Sequence, residues 1–190
     1  MAGRYGGRRL TTAAGQQTRP TSDRVREALF STLDSQLDLD GARFLDLFAG
    51  SGAIGLEALS RGAASVLLVE HDQKAVKVVR ANIAALGAKA AKIVTGKVAP
   101  VLHGGNPGDP YDIVYADPPY HLSESELTTV LKALTDGGWL ADGAVVVLER
   151  SSRSPEPAWV EGITGERGRR YGETTLWYGR AESRAEGRAQ

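Results

Sequence analysis

Runs typical of buried strands alternate along this chain with amphipathic helical patterns, and that order constrains the fold more than any other feature. Five apolar runs predict strands, at residues 43–47, 65–69, 91–95, 111–116 and 144–149. Helical patterns fall between several of them, at residues 54–60, 73–86 and 124–134. Strands joined through helices and short loops predict a parallel sheet that is covered on both faces.

The two ends of this alternating region differ from its middle. Before it, Ser22 is a good N-cap for a helix over residues 23–36. After it, residues 163–179 indicate an antiparallel pair of strands. We therefore predict a three-layer, Rossmann-like α/β domain over residues 22–180, with a mostly parallel seven-stranded sheet that ends in an antiparallel hairpin. Residues 1–21 are predicted to be a basic arm, and residues 181–190 a disordered tail.

Charge is distributed unevenly along a chain of 190 residues whose net charge is zero. Residues 1–30 carry +4, residues 31–149 carry −6 and residues 150–190 carry +2. Arginine suits phosphate contacts and base stacking, so both ends are candidates for nucleic-acid binding, although solvated arginine is the plainer interpretation. The candidate residues are Arg4, Arg8, Arg9, Arg19, Thr21, Arg24, Arg170, Tyr171 and Thr174.

Several classes of protein are disfavoured by composition. The chain has no cysteine, and its three histidines lack ligand spacing, so we expect no metal site. It has no apolar run of transmembrane length and no secretory signal, which predicts a cytoplasmic protein that does not bind membranes. No exposed apolar stripe demands a partner, so we expect a monomer.

A glycine-rich turn directly follows the first predicted strand. The turn includes Ala49, Gly50, Ser51 and Gly52, where two glycines permit positive φ and let a ligand lie against the backbone. The pattern also fits a dinucleotide site or a plain tight turn. Asp46 argues against a pyrophosphate, which it would repel, but it can accept hydrogen bonds from an ammonium group. S-adenosylmethionine has such a group and no phosphate.

A second acidic residue follows the next strand. Glu70, with His71 beside it, lies eighteen residues after Gly52, about where an acid binds ribose hydroxyls in nucleoside-binding sheets. An ordinary strand-end acid is the alternative. Asp72 is a rival for the same role, but it is better placed to cap the helix that begins at Gln73.

The sharpest motif is Asp117-Pro118-Pro119-Tyr120, directly after the predicted strand at residues 111–116. Two prolines stiffen the loop and remove two N–H donors. Asp117 and the Pro118 carbonyl can accept hydrogen bonds from an exocyclic amine of a nucleobase, and Tyr120 can stack on the base. A rigid turn is the alternative, which the preceding glycine-rich loop makes less attractive.

Taken together, these motifs resemble the RsmD family of bacterial 16S rRNA guanine-N2 methyltransferases. The resemblance covers about residues 4–179 and is carried by four stretches in the family's order: Arg19-Pro-Thr with Arg24-Val-Arg-Glu-Ala-Leu-Phe, residues 46–63, Asp117-Pro-Pro-Tyr and Tyr171-Gly-x-Thr174. It implies a class I methyltransferase fold, S-adenosylmethionine as donor, and 16S rRNA or a small ribosomal subunit, assembled or still assembling, as acceptor.

The resemblance also implies roles for individual residues. Asp46 to Gly52 would hold the methionine end of the cofactor, Glu70 its ribose, and Asp117 to Tyr120 the guanine, with Asp117 also near the cofactor. The arm would contact RNA. One departure is Lys97, where many class I enzymes have an acid that binds adenine, so we expect adenine to be read by backbone around Lys97 and Val98.

Three other functions remain as alternatives. An adenine-N6 or cytosine-N4 methyltransferase of DNA or RNA would use the same Asp-Pro-Pro-Tyr motif. An RNA-binding module without catalysis is disfavoured by the intact motifs, and an NAD(P) oxidoreductase is disfavoured by Asp46.

Overall fold

The computed structural model describes residues 1–12 and 20–184. The chain divides into two compact units, Met1–Lys97 and Val98–Gln190. Its strands belong to a seven-stranded mixed sheet. The predicted mostly parallel sheet with an antiparallel terminal hairpin is confirmed.

The elements of the first unit in chain order are a short 3-10 helix (Gly3–Tyr5), α1 (Pro20–Gln36), β1 (Arg43–Leu47), α2 (Ala53–Ser60), β2 (Ser65–Glu70), α3 (Gln73–Leu86) and β3 (Ala91–Thr95). Its three strands are parallel and lie in the order β3-β2-β1. Asp72 caps α3 by accepting from the Lys74 N–H, as predicted, and Gly87 ends that helix with φ 60°. Phe30 of α1 and Phe44 of β1 stack in the core with ring centroids 6.5 Å apart.

The elements of the second unit are α4 (Val98–His103), β4 (Tyr111–Ala116), α5 (Glu124–Asp136), β5 (Leu140–Ser151), β6 (Ile163–Tyr171) and β7 (Thr174–Ala181). Its strands lie in the order β4-β5-β7-β6, in which β4 and β5 are parallel and β7 is antiparallel to both β5 and β6. Ser123 and Glu126 form a capping box at the start of α5. The apolar run from Ala144 to Leu148 is fully buried, as expected for a strand covered on both faces.

The terminal hairpin makes room for large aromatic side chains by using glycine. A Cβ on Gly168 would lie 2.5 Å from the Trp177 ring, and one on Gly165 would lie 2.3 Å from Trp159. Gly172 (φ 62°) begins the two-residue turn that joins the paired residues Tyr171 and Thr174.

Several predicted boundaries were wrong. Helix α1 begins at Pro20, so Ser22 lies inside it and is not its N-cap; proline is favoured in a first helical turn. Strand β5 begins at Leu140, four residues before the predicted start. A register shift between Tyr111 and Ile113 of β4 accommodates Gly143 (φ 71°), so β5 continues through a stretch that interrupts its apolar run. Helix α4 was not predicted.

The predicted tail also begins too early. Ala181 is the buried last residue of β7, and the Arg184 N–H donates to Asp142 Oδ1 over 3.2 Å. The rest of the predicted tail, residues 185–190, lies outside the described residues. Across residues 1–12 and 20–184, no helix is both long and apolar enough to cross a membrane.

Candidate active site

The glycine loop, defined as residues 48–52, follows β1 in the first unit. Phe48, Gly50 and Gly52 all adopt positive φ, at 57°, 58° and 82°. The Gly52 N–H donates to the Ala49 carbonyl over 2.8 Å, and the Ala49 N–H donates to Val69 at the end of β2. These bonds close the loop into a tight turn before α2 begins.

Glu70 anchors this loop from the end of β2. Its carboxylate is buried, with Oε2 accepting from the Gly50 N–H at 2.8 Å. The other oxygen, Oε1, accepts from the N–H groups of His71 and Asp72 at 2.9 and 3.0 Å. The His71 side chain is exposed. Both oxygens of Glu70 thus hold backbone N–H groups around the predicted cofactor site.

Asp46 is almost fully buried within β1, at 1% exposure. Its Oδ2 accepts from the Gly55 N–H in the first turn of α2 at 2.9 Å, where a negative charge is favoured by the helix dipole. A Cβ on Gly55 would meet Val66 at 2.8 Å and Asp46 Oδ2 at 3.1 Å. Gly55 therefore lets α2 approach the sheet closely enough for this bond to form.

The structure separates the roles of the two predicted loop glycines. A Cβ on Gly52 would point into the core, 3.1 Å from Leu68 and 3.5 Å from both Leu56 and Val79. A Cβ on Gly50 would meet no atom of residues 1–12 or 20–184 within 4 Å. The side of the backbone on which a ligand could lie is therefore at Gly50, whereas Gly52 serves packing and turn geometry.

The remaining cofactor candidates end the first unit and begin the second. Lys97 is exposed, while Val98 is buried at the start of α4. The Gly96 N–H donates to the Glu70 carbonyl over 2.9 Å, which ties the end of β3 to the end of β2. Among the residues described, no cluster of three or more His, Asp or Glu side chains could hold a metal ion.

The acceptor loop, defined as Asp117 to Tyr120, follows β4 in the second unit. Pro118 is buried, and the Pro119 carbonyl accepts from the Leu122 N–H at 2.9 Å. The Tyr120 ring is 94% exposed and meets His121 edge to face at 5.8 Å. A stiff backbone thus presents an aromatic face that is open to a planar ligand.

Asp117 lies in a strongly charged environment. Ala116, the last residue of β4, is paired with Leu148 of β5. The residues that follow them on the two parallel segments are Asp117 and Glu149. Although Asp117 reaches solvent, the protein around its carboxyl and the neighbouring Glu149 raise its pKa to about 8, against the opposing effect of Arg150. The carboxyl therefore titrates close to neutral pH.

The groups around Asp117 are held by their own bonds. The Tyr115 hydroxyl donates to Glu149 Oε2, although burial still raises the pKa of Glu149. Arg150 is buried and its Nη2 donates to Glu124 Oε1 at 2.7 Å. Sequence reasoning missed Tyr115, Glu149 and Arg150. A usable signal was Glu149 at the end of an apolar strand, the position that had singled out Glu70 and Asp117.

The candidate nucleic-acid residues are mostly on the surface. Exposed side chains are those of Arg4, Arg8, Arg9, Arg24 and Arg170, while Tyr171 and Thr174 are half-buried. Arg8 Nη1 also donates to the Ala85 carbonyl at 3.1 Å, and Arg170 Nε donates to the Gly172 carbonyl at 2.9 Å. Arg19 lies outside the described residues, and so does the Thr21 side chain.

Comparison with solved structures defines the class of this fold. The Escherichia coli protein yhhF has a TM-score of 0.82 and 34% identity, with 97% of each chain covered. A magnesium protoporphyrin IX methyltransferase from Synechocystis, solved with bound S-adenosylmethionine, has a TM-score of 0.66 over 89% of this chain and 87% of its own, at 15% identity. The fold is that of the class I methyltransferases.

Sequence comparison then identifies the family. Residues 1–180 match the model of a family described as conserved hypothetical protein 95. The ribosomal RNA small subunit methyltransferase D of Escherichia coli is 42% identical over 149 residues, which are 78% of this chain and 72% of that protein. The chain belongs to this family, the RsmD family, as its motifs predicted.

Proposed function

We propose that this protein transfers a methyl group from S-adenosylmethionine to the exocyclic N2 of a guanine in 16S rRNA. The observation that carries the proposal is the acceptor loop, in which a carboxyl of pKa about 8 stands beside a stiff Pro-Pro backbone and an exposed tyrosine ring. Its relative in Escherichia coli is named as a small-subunit rRNA methyltransferase, which supports the class of substrate.

The first unit is suited to hold the cofactor. The backbone at Gly50 is open on the side where a Cβ would project, and the Glu70 carboxylate lies behind it. Glu70 is assigned to the ribose and Asp46 to the methionine end, with Ala49, Ser51 and Gly52 shaping the loop between them. Lys97 and Val98 are assigned to the adenine. When bound, S-adenosylmethionine supplies a methyl group on a positively charged sulfur.

The second unit is suited to hold the guanine. Asp117 and the Pro118 carbonyl accept hydrogen bonds from the two N2 hydrogens, which draws the nitrogen lone pair out of the ring and makes the amine nucleophilic. Tyr120 stacks on the base and limits its rotation. Transfer would form the new nitrogen–carbon bond and break the bond between the methyl group and the sulfur, so that the donor leaves as a neutral thioether. The amine would lose one proton in the process, and we assign the ionised Asp117 carboxylate as the group that accepts it.

RNA contacts are assigned to the exposed arginines. Arg4, Arg8, Arg9 and Arg24 belong to the first unit, and Arg170 with Tyr171 and Thr174 belongs to the hairpin of the second. Phosphate contacts of this kind position an RNA without reading its sequence. A small-subunit particle, complete or still assembling, supplies the additional surface that would select one guanine.

The decisive experiment is tritiated methyl transfer to small subunits from a strain that lacks the corresponding gene, followed by mass spectrometry of the modified nucleoside. We expect N2-methylguanosine. N6-methyladenosine or N4-methylcytidine would instead support the alternative amino-methyltransferase, because the acceptor loop can bind any exocyclic amine. Binding of rRNA without transfer would support a non-catalytic module.

A further inference from the structure

A single buried amide in the first unit connects the N-terminal arm with the glycine loop. Asn82, on α3, is 2% exposed. Its Oδ1 accepts from the Thr11 N–H at 2.8 Å, while Nδ2 donates to the carbonyls of Thr11 and Ser51, both at 3.0 Å. Both N–H groups of the side chain are therefore used, one on each segment.

The arm is also held by α2, the helix that the glycine loop opens. The Tyr5 N–H donates to Ser60 Oγ at 2.8 Å, and that hydroxyl donates to the Ala2 carbonyl. Gly3 fits so closely against the end of α2 that a Cβ there would lie 2.1 Å from the Ser60 carbonyl oxygen. Residues 1–11 thus dock on α2, which begins at the loop, and on α3, which carries Asn82.

Ser51 depends on this support more than an ordinary loop residue would. It stands between Gly50 and Gly52, both at positive φ, so the local backbone has little steric preference of its own. The carbonyl of Ser51 shares a peptide plane with the Gly52 N–H, which donates to Ala49. Asn82 therefore holds the other side of that peptide plane.

The arm in turn fixes which way the Asn82 amide faces. Thr11 offers one donor and one acceptor, and these match the oxygen and the nitrogen of the amide in one orientation only. Without Thr11, the amide loses two of its three hydrogen bonds and keeps only the one to the Ser51 carbonyl, so its plane is no longer held. The orientation that supports Ser51 is thus maintained by a segment 71 residues away in sequence.

We propose that Asn82 is a positioning residue through which docking of the N-terminal arm strengthens cofactor binding at the glycine loop. This inference rests on the assignment of the cofactor to that loop under the proposed function. Because coupling between two binding events is reciprocal, bound cofactor also strengthens docking of the arm. The arm then acts on the affinity for S-adenosylmethionine, separately from any contact it makes with RNA.

The arm contains a matched pair of glycines for testing this coupling. Gly3 and Gly7 have nearly the same backbone, at φ 76° and 77°, so alanine is strained equally at both. A Cβ at Gly3 clashes with α2, whereas one at Gly7 meets no atom within 4 Å among the described residues. We expect Gly3→Ala to weaken S-adenosylmethionine binding about fivefold in calorimetry on the full chain, and Gly7→Ala to change it by less than about twofold.

A double-mutant cycle tests whether the effect passes through Asn82. Asn82→Ala should weaken cofactor binding about tenfold, and the Asn82→Ala/Gly3→Ala double variant should bind no more weakly than Asn82→Ala alone. If Asn82→Ala does not fold, the nearly isosteric Asn82→Asp takes its place, since it cannot donate to Ser51. Unchanged affinity in Gly3→Ala, or additive effects in the double variant, would overturn the coupling.

The readout separates this inference from the proposed function. Affinity for S-adenosylmethionine is measured without RNA, so the outcome of the cycle does not depend on which base is methylated. A wild-type chain that binds the cofactor and methylates no guanine contradicts the proposed function, while the four dissociation constants still decide for or against the coupling.

Discussion

The two units place carboxylates at the same structural position, the carboxyl end of a parallel strand, and give them opposite surroundings. In the first unit, Glu70 and Asp46 accept hydrogen bonds from backbone N–H groups of the elements that follow the strands. In the second unit, Asp117 stands next to a second carboxyl, Glu149, and the surrounding protein raises the pKa of both. Carboxylates that accept backbone N–H groups are held in place, whereas a carboxyl of raised pKa can exchange a proton near neutral pH.

The largest effect should be on methyl transfer when Asp117, the carboxyl proposed to exchange a proton, is replaced. Asp117→Ala removes the proposed hydrogen-bond acceptor and proton acceptor together, so methyl transfer should fall about a thousandfold or more. Cofactor affinity should stay within about threefold, because the residues assigned to the cofactor's ribose and methionine end belong to the first unit. The measurements are tritium transfer and calorimetry, with Asp136→Asn, an exposed acid at the end of α5, as control. Transfer within a few fold of wild type would contradict the assignment.

Substitution of Glu70 should instead weaken cofactor binding. Both oxygens of Glu70 accept from backbone N–H groups, so Glu70→Gln forces its amide nitrogen against either Gly50 or the His71 and Asp72 pair. We expect cofactor affinity to fall about thirtyfold, since hydrogen bonds to charged groups are strong and an unpaired donor is costly. Calorimetry measures this, with the exposed Glu161→Gln as control. An affinity equal to that of wild type would show that Glu70 is an ordinary strand-end acid.

The rate of methyl transfer should depend on pH through Asp117. Because the ionised form of Asp117 is proposed to accept the amine proton, transfer at saturating cofactor should rise with pH and reach half its maximum near the pKa of about 8. Glu149 helps to raise that pKa, so Glu149→Gln removes a repulsion and moves the midpoint to lower pH, which increases the rate at pH 7 by a few fold. A midpoint that stays in place, or moves upward, would contradict the proposed interaction between these carboxyls.

The comparison also shows what the sequence could predict. Glu70 and Asp117 were found because each ends or follows an apolar run, and Asp46 because it lies just before the glycine-rich turn; the carboxyl ends of parallel strands are where such folds bind ligands. Asn82 was missed because its importance comes from Thr11 and Ser51, which the folded chain brings to it from 71 and 31 residues away. Sequence periodicity showed only a helix there.

Short or interrupted elements were hidden for local reasons. Helix α4 has six residues with Pro100 in its first turn, too short for a helical period to show. The predicted strand at residues 144–149 was shorter than β5 because Asp142 and Gly143 interrupt the apolar run at the register shift. Long uninterrupted elements such as α3, whose limits matched the prediction, were reliable since their apolar faces repeat over several turns.

The smallest expected effect is on the salt dependence of RNA binding, to which the exposed arginines of each unit should contribute. Arg4 and Arg9 are exposed in the arm, and Arg169 and Arg170 are exposed on β6. Each phosphate contact contributes about 0.7 to 0.9 to the slope of log affinity against log salt, so an Arg4→Ala/Arg9→Ala variant and an Arg169→Ala/Arg170→Ala variant should each lose up to about 1.8. Binding of 16S rRNA across a salt series measures both slopes. If a variant has the same slope as wild type, the two arginines that it lacks do not contact phosphate. If the slope falls in both variants, the RNA contacts both the arm and the hairpin.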